Sequence, residues 1–194
     1  MSLKNKISIR IVLIGSGNLA THLGLGLAKN GLKIVQVYSP RKNHAKKLSS
    51  LLGSSAISSL TQLDKTADLY ILAVKDDAIG PLAKKLNLGN KLVVHTSGSV
   101  ALDVLKPASS SIGIFYPLQT FTRESSIDWS EIPICLESIN TPGKTLLKKV
   151  AGILTSRVVF LDSNQRKLVH LAAVFASNFS NHMYSIAEDL LAKE

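Results

Sequence analysis

The chain has 194 residues, 45% hydrophobic and 19% charged, enough for one well-filled core with extra elements. Its formal net charge is +10, but the basic residues are scattered (Lys46-Lys47, Lys84-Lys85, Lys148-Lys149, Arg166-Lys167), and the aromatic residues are few and do not interleave with them; with no helix-turn-helix, zinc-finger or RNA-binding signature, nucleic acid is not an expected partner. No apolar run approaches the ~18–20 residues that span a membrane, no spacing of ligands points to a metal, and the single cysteine, Cys135, excludes a disulfide framework and points to the cytoplasm.

The basic opening, residues 1–6, leads into a short apolar run: Ile9, Ile11, Val12, Leu13 and Ile14. It reads as a strand buried on both faces rather than a signal peptide. Gly15-Ser16-Gly17-Asn18-Leu19-Ala20 follows at once, and Leu19, Leu23 and Leu27 repeat at helical spacing up to the stop Asn30-Gly31. Strand, glycine turn and helix is the context in which a Gly-x-Gly-x-x-Ala match becomes a dinucleotide site. Gly15 permits the tight turn, Gly17 lets a pyrophosphate approach the backbone, and Ala20 lets helix and strand pack closely. The free N–H groups and the dipole of the helix start, around Ser16 to Leu19, face the phosphates.

Residues 34–38 form a second strand, ending at Ser39-Pro40-Arg41-Lys42. An NAD site usually places Asp or Glu here for the ribose; the first acidic residue of this chain is Asp64. The Ser39 hydroxyl and the cations Arg41 and Lys42 suit a 2′-phosphate instead, so NADP is expected over NAD. A helix over 43–52, stopped by Gly53, precedes a weak strand over 55–58 and a short helix or turn over 60–65. Residues 68–74 are the next strand, and Ala73, Val74 and Lys75 at its carboxyl end are expected to wall the cofactor. A helix over 78–87 follows, with Asp76 and Asp77 at its positive end and Pro81 in its first turn.

Strand 92–95 runs into Thr96-Ser97-Gly98-Ser99 and a helix over 100–105. Strand 112–116 ends in Pro117-Leu118-Gln119-Thr120, followed by a polar loop over 121–131. Residues 132–137 are a strand, Thr141-Pro142 cap and open a helix reaching about 155, and 158–161 is the last strand. Strands and helices alternating at steps of roughly 15–25 residues predict an α/β fold: a doubly wound, mostly parallel sheet.

Asp162 with Gln165 caps a final helix, ~45 Å long at 1.5 Å per residue if it reaches the C-terminus. Leu168, Leu171, Phe175, Phe179, Met183, Ile186 and Leu190 form one stripe, and the first half is apolar nearly all round. Such a helix is expected to be buried, against a second copy of the chain or in a helical domain cut short here. The expected division is a dinucleotide-binding domain over 1–161 and, over 162–194, the start of a helical dimerisation and substrate domain.

Three loops, 75–77, 95–99 and 116–120, are expected to converge near the nicotinamide, with Thr96 beside it, and the long helix adds His170, Asn178 and His182 close to one face. Hydride transfer needs a polariser or proton donor beside the hydride path. His95, Ser97, Asn178 and His170 are the candidates. Each of the first three has a plainer reading as well: His95 as a satisfied strand-end residue, Ser97 as a helix cap, Asn178 as a pair across a helix interface.

Gly15-Ser-Gly-Asn-Leu-Ala-Thr-His22, Val37-Tyr-Ser-x-Arg41, His95-Thr-Ser-Gly-Ser99, Phe115-Tyr-Pro-Leu-Gln-Thr-Phe121 and the run 165–179 together resemble a family of bacterial Rossmann-type oxidoreductases. That family is similar to pyrroline-5-carboxylate reductase, to deazaflavin-dependent NADP oxidoreductases and, more distantly, to prephenate and β-hydroxyacid dehydrogenases. The resemblance covers nearly the whole chain. It implies an NADP-binding N-terminal domain, then an all-helical domain that dimerises and closes the active site. The β-hydroxyacid dehydrogenases carry a Lys-x-x-x-Asn pair on the long helix; here Val174 stands four residues before Asn178, with His170 one turn earlier as the candidate substitute. The expected function is an NADP-dependent oxidoreductase acting on a small carbonyl, imine or hydroxy acid. The alternative is a sensor or scaffold that binds NADP without turnover.

Overall fold

Eight apolar runs pair into one sheet in the computed structural model, which describes residues 9–123 and 126–192. They are β1 (Arg10–Ile14), β2 (Lys33–Tyr38), β3 (Ser55–Ile57), β4 (Leu69–Leu72), β5 (Leu92–His95), β6 (Ser111–Pro117), β7 (Ile134–Ser138) and β8 (Val158–Phe160). Their spatial order is β3-β2-β1-β4-β5-β6-β7-β8, and all neighbours are parallel except β6 and β7, where Tyr116 lies opposite Cys135. The doubly wound, mostly parallel sheet expected from the alternation of elements is therefore present.

β1 explains why these strands read as continuous apolar runs. Ile11 and Leu13 point into one layer, with Leu23 and Leu27 of α1 (Asn18–Lys29) and Leu147 and Val150 of α4 (Thr141–Leu154). Val12 and Ile14 point into the other, with Ile79 of α3 (Asp76–Ala83) and Leu105. All four β1 side chains are fully buried, each stabilising the fold by roughly 1.5–3 kcal/mol. Cys135 lies in the second layer, where burial pushes its thiol up from the ordinary value and keeps it protonated.

Several boundaries differ from expectation. α2 spans Lys42–Leu52 and ends on Gly53 at φ 59°, as the glycine stop predicts. α3 begins two residues early, at Asp76, because both acids favour the positive helix end; Pro81 then falls in the second turn, and the helix closes at Ala83. The helix expected over 100–105 is only a 3-10 turn, Leu102–Leu105, because the Ser97 hydroxyl accepts the N–H groups of Ser99 and Val100 and holds this stretch as a loop. The cap of α4 is Asn140, whose side chain accepts Gly143 N–H at 2.7 Å, one residue before the expected Thr141.

The C-terminal helix is one rod in three pieces: α5 (Ser163–Ala173), a π turn (Val174–Phe179) and α6 (Ser180–Leu191). The Asp162–Gln165 capping box forms as expected. Within this one chain the apolar stripe lies uncovered, as a helix that packs on a second copy or on further helices would. Leu168, Leu171, Phe175, Phe179, Met183 and Leu190 are each more than half exposed, because no described element of this single chain packs over them. No helix among the described residues is long and apolar enough to cross a membrane.

Candidate active site

The strand order reverses between β1 and β4, so the crevice at their carboxyl ends is where an open α/β sheet binds its ligand. β1 leads there into the glycine turn. Gly15 sits at φ 129°, and a Cβ on it would lie 2.0 Å from the Ala73 carbonyl oxygen, so only glycine fits. Its N–H donates to Tyr38 O at 2.9 Å, tying the turn to the end of β2. Gly17, the N-cap of α1, has nothing within 4 Å of where its Cβ would stand. That open space borders the first turn of α1, whose N–H groups have no helical acceptors. The arrangement fits a dinucleotide pyrophosphate: donors, a positive helix end, and room over the backbone. Ala20 is fully buried under the helix, as close packing requires.

At the end of β2, Ser39 is buried and accepts the Ser16 hydroxyl at 3.0 Å, linking the glycine turn to the end of β2. Arg41 and Lys42 are exposed at the N-terminus of α2, with no acid in its first turn. Two cations at a positive helix end leave this corner strongly receptive to an anion. At the end of β4, Ala73 is buried against Gly15, Val74 is half-buried, and Lys75 is exposed as the N-cap of α3.

The loop after β5 is held from the far end of the chain. Arg166 of α5 is fully buried and donates to three backbone carbonyls: Ser97 O at 2.9 Å, Gly98 O at 2.8 Å and Val100 O at 2.9 Å. Glu137 of β7 lies 3.6 Å from its Nη2 and accepts the Ser163 hydroxyl. Burial draws the guanidinium below its ordinary pKa, and Glu137 opposes that shift. The basic pair Arg166-Lys167, read from sequence as scattered surface charge, is thus split: Lys167 is exposed, and Arg166 is a core strut. Arg166, His170, Val174 and Ser177 recur at helical spacing on the face toward the sheet, the one signal in the sequence that sets Arg166 apart.

Between this loop, the end of β6 and the long helix lies a cleft of about 300 Å³. Thr96, Ser97 and Gly98 form one wall, Tyr116 to Phe121 a second, and His170, Ala173, Val174, Ser177 and Asn178 a third. The Tyr116 hydroxyl and His170 Nδ1 are 2.9 Å apart, their rings edge to face at 79°. The π turn carries Ser177 and Asn178 to the cleft, as such turns often do at functional sites. A larger hollow, about 390 Å³, lies between α1 and Trp129, but it holds none of the glycine-turn or strand-end groups and is not the site.

Of the expected reacting residues, Ser97, His170 and Asn178 meet at the cleft, with Thr96 beside them. His95 does not. It is fully buried, its Nδ1 accepts Ser97 N–H at 3.1 Å, and its Nε2 has no partner. Burial, aided by the Arg166 charge, pushes it down to about 4, so it is a neutral brace of the loop rather than a group facing substrate. Asn18 stands at the start of α1, but its side chain donates to Phe121 O at 3.1 Å, and His22 Nε2 lies 2.8 Å from Thr122 O, so the segment after β6 lies along α1. His182 is exposed and outside the cleft. Sequence reasoning missed Arg166, the pairing of Tyr116 with His170, and Gly98, where a Cβ would meet both of those rings.

Residues 10–98 match the family described as coenzyme F420-dependent NADP oxidoreductase, and residues 132–194 match a domain of unknown function. The NADP oxidoreductase BF3122 of Bacteroides fragilis is 41% identical, with 96% of this chain and 73% of that one covered at a TM-score of 0.89. Protein TM1727 of Thermotoga maritima is 25% identical, with 93% and 69% covered at a TM-score of 0.76. An imine reductase of Myxococcus stipitatus, solved with NADP+, is 14% identical and shares the fold, with 93% and 64% covered at a TM-score of 0.62. No curated protein sequence matches the chain.

Proposed function

We propose, for a chain that belongs to the Rossmann-type NADP oxidoreductase family, that it transfers a hydride between NADP(H) and a small carbonyl, imine or hydroxy-acid substrate in the cleft beside Tyr116. The observation that carries this reading is the placement of two features at one switch point: open space over Gly17 at a glycine turn, and an adjoining cleft walled by β5, β6 and the long helix.

The bound cofactor supplies or accepts the hydride. Around it, the backbone of Gly15, Ser16, Gly17, Asn18, Leu19 and Ala20 holds the pyrophosphate. Ser39, Arg41 and Lys42 take the 2′-phosphate, and the lack of an acid at the end of β2 supports NADP over NAD. Ala73, Val74 and Lys75 wall the cofactor, Thr96 flanks the nicotinamide, and Ser97, His170 and Asn178 orient the substrate. The exposed stripe from Leu168 to Leu190 supports a homodimer in which a second copy covers the long helix. Cys135, buried and unpaired, fits the reducing cytoplasm.

Calorimetric titration with NADPH and NADH tests the reading; binding of neither overturns it. Arg41→Ala is expected to weaken NADPH by about tenfold or more, the loss of a charge-assisted contact of roughly 1.5–3 kcal/mol, and to leave NADH unchanged. An equal loss for both nucleotides removes Arg41 from the 2′-phosphate.

A further inference from the structure

The cleft needs a group that can give up a proton, and most of its polar side chains are already engaged. Asp76 Oδ2 accepts the Ser99 hydroxyl at 2.6 Å. The Ser97 hydroxyl accepts two backbone N–H groups of its own loop. His95 is sealed behind that loop, and no Lys, Arg or Cys lines the cleft among the described residues. Thr96, Gln119, Thr120, Ser177 and Asn178 also line the cleft, but aliphatic hydroxyls and amides are far weaker acids than a phenol, and only Tyr116 and His170 form a joined acid–base pair there, at 2.9 Å.

We propose that Tyr116, its hydroxyl bonded to His170 Nδ1, is the proton donor to the reacting oxygen or nitrogen of the substrate. Three further observations converge on the pair. Tyr116 closes β6 and is buried, so its ring is fixed by the sheet, while His170 sits half-buried on α5 and approaches from the opposite wall. Gly98 leaves the space in which the two rings meet: a Cβ there would lie 2.6 Å from His170 Cγ and 2.8 Å from Tyr116 Cζ. Burial, with small contributions from Cys135 and Asp76, pushes the Tyr116 phenol up to about 12, which keeps its proton in place until an acceptor forms beside it.

The proposal rests on the reductase reading above. In the reducing direction, the carbon of a C=O or C=N acceptor receives the hydride, two electrons and a proton, from the reduced nicotinamide. The π-bond pair moves to the oxygen or nitrogen, which takes the Tyr116 hydroxyl proton. A proton held on His170 Nδ1 passes to Tyr116 Oη and restores the phenol as its own proton leaves, and solvent replaces it through the half-exposed imidazole ring. The net change is hydride plus one solvent proton added across the double bond. The reverse path oxidises an alcohol or amine.

The test uses the full chain and Tyr116→Phe, which removes one oxygen and keeps the packing. NADPH affinity is read by fluorescence, and reduction of two probes, pyruvate and a cyclic methylpyrroline, by loss of NADPH absorbance. The side-chain nitrogen NMR resonances of His170 and His95 give a readout independent of turnover. The expected result is NADPH binding unchanged, reduction lowered by about 100-fold or more, and a shift at His170 Nδ1 while His95 stays put. Reduction unchanged in Tyr116→Phe, or an unmoved His170 resonance, overturns the proposal and leaves the reductase reading standing. Wild-type protein that binds no NADPH, or reduces neither probe, overturns the reductase reading and the proton donor with it.

Discussion

Alanine at Gly15 is expected to destabilise the fold and alanine at Gly17 to spare it, although both are expected to abolish tight NADPH binding. The two glycines of one motif act through different physics. At Gly15 the backbone is at φ 129°, and the new Cβ would stand 2.0 Å from Ala73 O and 2.7 Å from Ala73 C. Both neighbours are backbone, so neither can swing aside, and β1 or the end of β4 must move. Left-handed strain and overpacking together cost roughly 2–5 kcal/mol, or roughly 4–20 °C in melting temperature for a chain of this size. At Gly17 φ is −78° and no atom lies within 4 Å of the added methyl, so stability should change by only about 1 kcal/mol. That methyl occupies the space offered to the pyrophosphate, and NADPH affinity should fall by about tenfold or more. Calorimetric melting and NADPH titration of both variants check the pair. Equal melting temperatures would disprove the crowding at Gly15, and wild-type NADPH affinity in Gly17→Ala would move the pyrophosphate elsewhere.

Arg166→Met should be more damaging than its place on an outlying helix suggests. The side chain is fully buried and satisfies three carbonyls of the loop after β5. Methionine fills much of the volume but leaves those carbonyls, and Glu137, without their cation. Removing one partner from a buried ionic cluster costs about 3–5 kcal/mol, or roughly 6–20 °C in melting temperature. Arg166→Lys should rescue little, because an ammonium cannot span Ser97, Gly98 and Val100 as the guanidinium fork does. The loop also lines the cleft, so ligand binding should weaken along with stability. Melting curves of both variants test this: a methionine variant as stable as the wild type would show that the three contacts carry no weight.

The sequence made much of this molecule legible. All eight strands, the glycine turn, the Gly53 stop and the Asp162 capping box were readable because each depends on residues within a few positions: apolar runs for buried strands, a missing Cβ for a turn, a carboxylate for free N–H groups. The switch point followed from the order of strands and helices, since crossover chirality leaves few ways to wind them. Helix ends were less legible. The stretch after Ser97 has helical residues, yet a single hydroxyl holding two N–H groups turns it into a loop.

What only the tertiary structure decided is which polar side chains face the cleft. Arg166 reaches Ser97 across 69 residues, and Tyr116 reaches His170 across 54. The helical spacing of Arg166 with His170, Val174 and Ser177 sets it apart from the solvated Lys167 beside it, but nothing local says which carbonyls it will reach. His95 shows the converse: a histidine at a strand end looks available in sequence, but it is fully buried and held by its own loop. By itself, the sequence determined the sheet, the glycine turn and the basic corner at Ser39, Arg41 and Lys42, because backbone propensity and local charge act over a few residues. Tertiary packing decided which groups are buried braces and which line the cleft, because burial and proton affinity depend on partners brought together from distant parts of the chain.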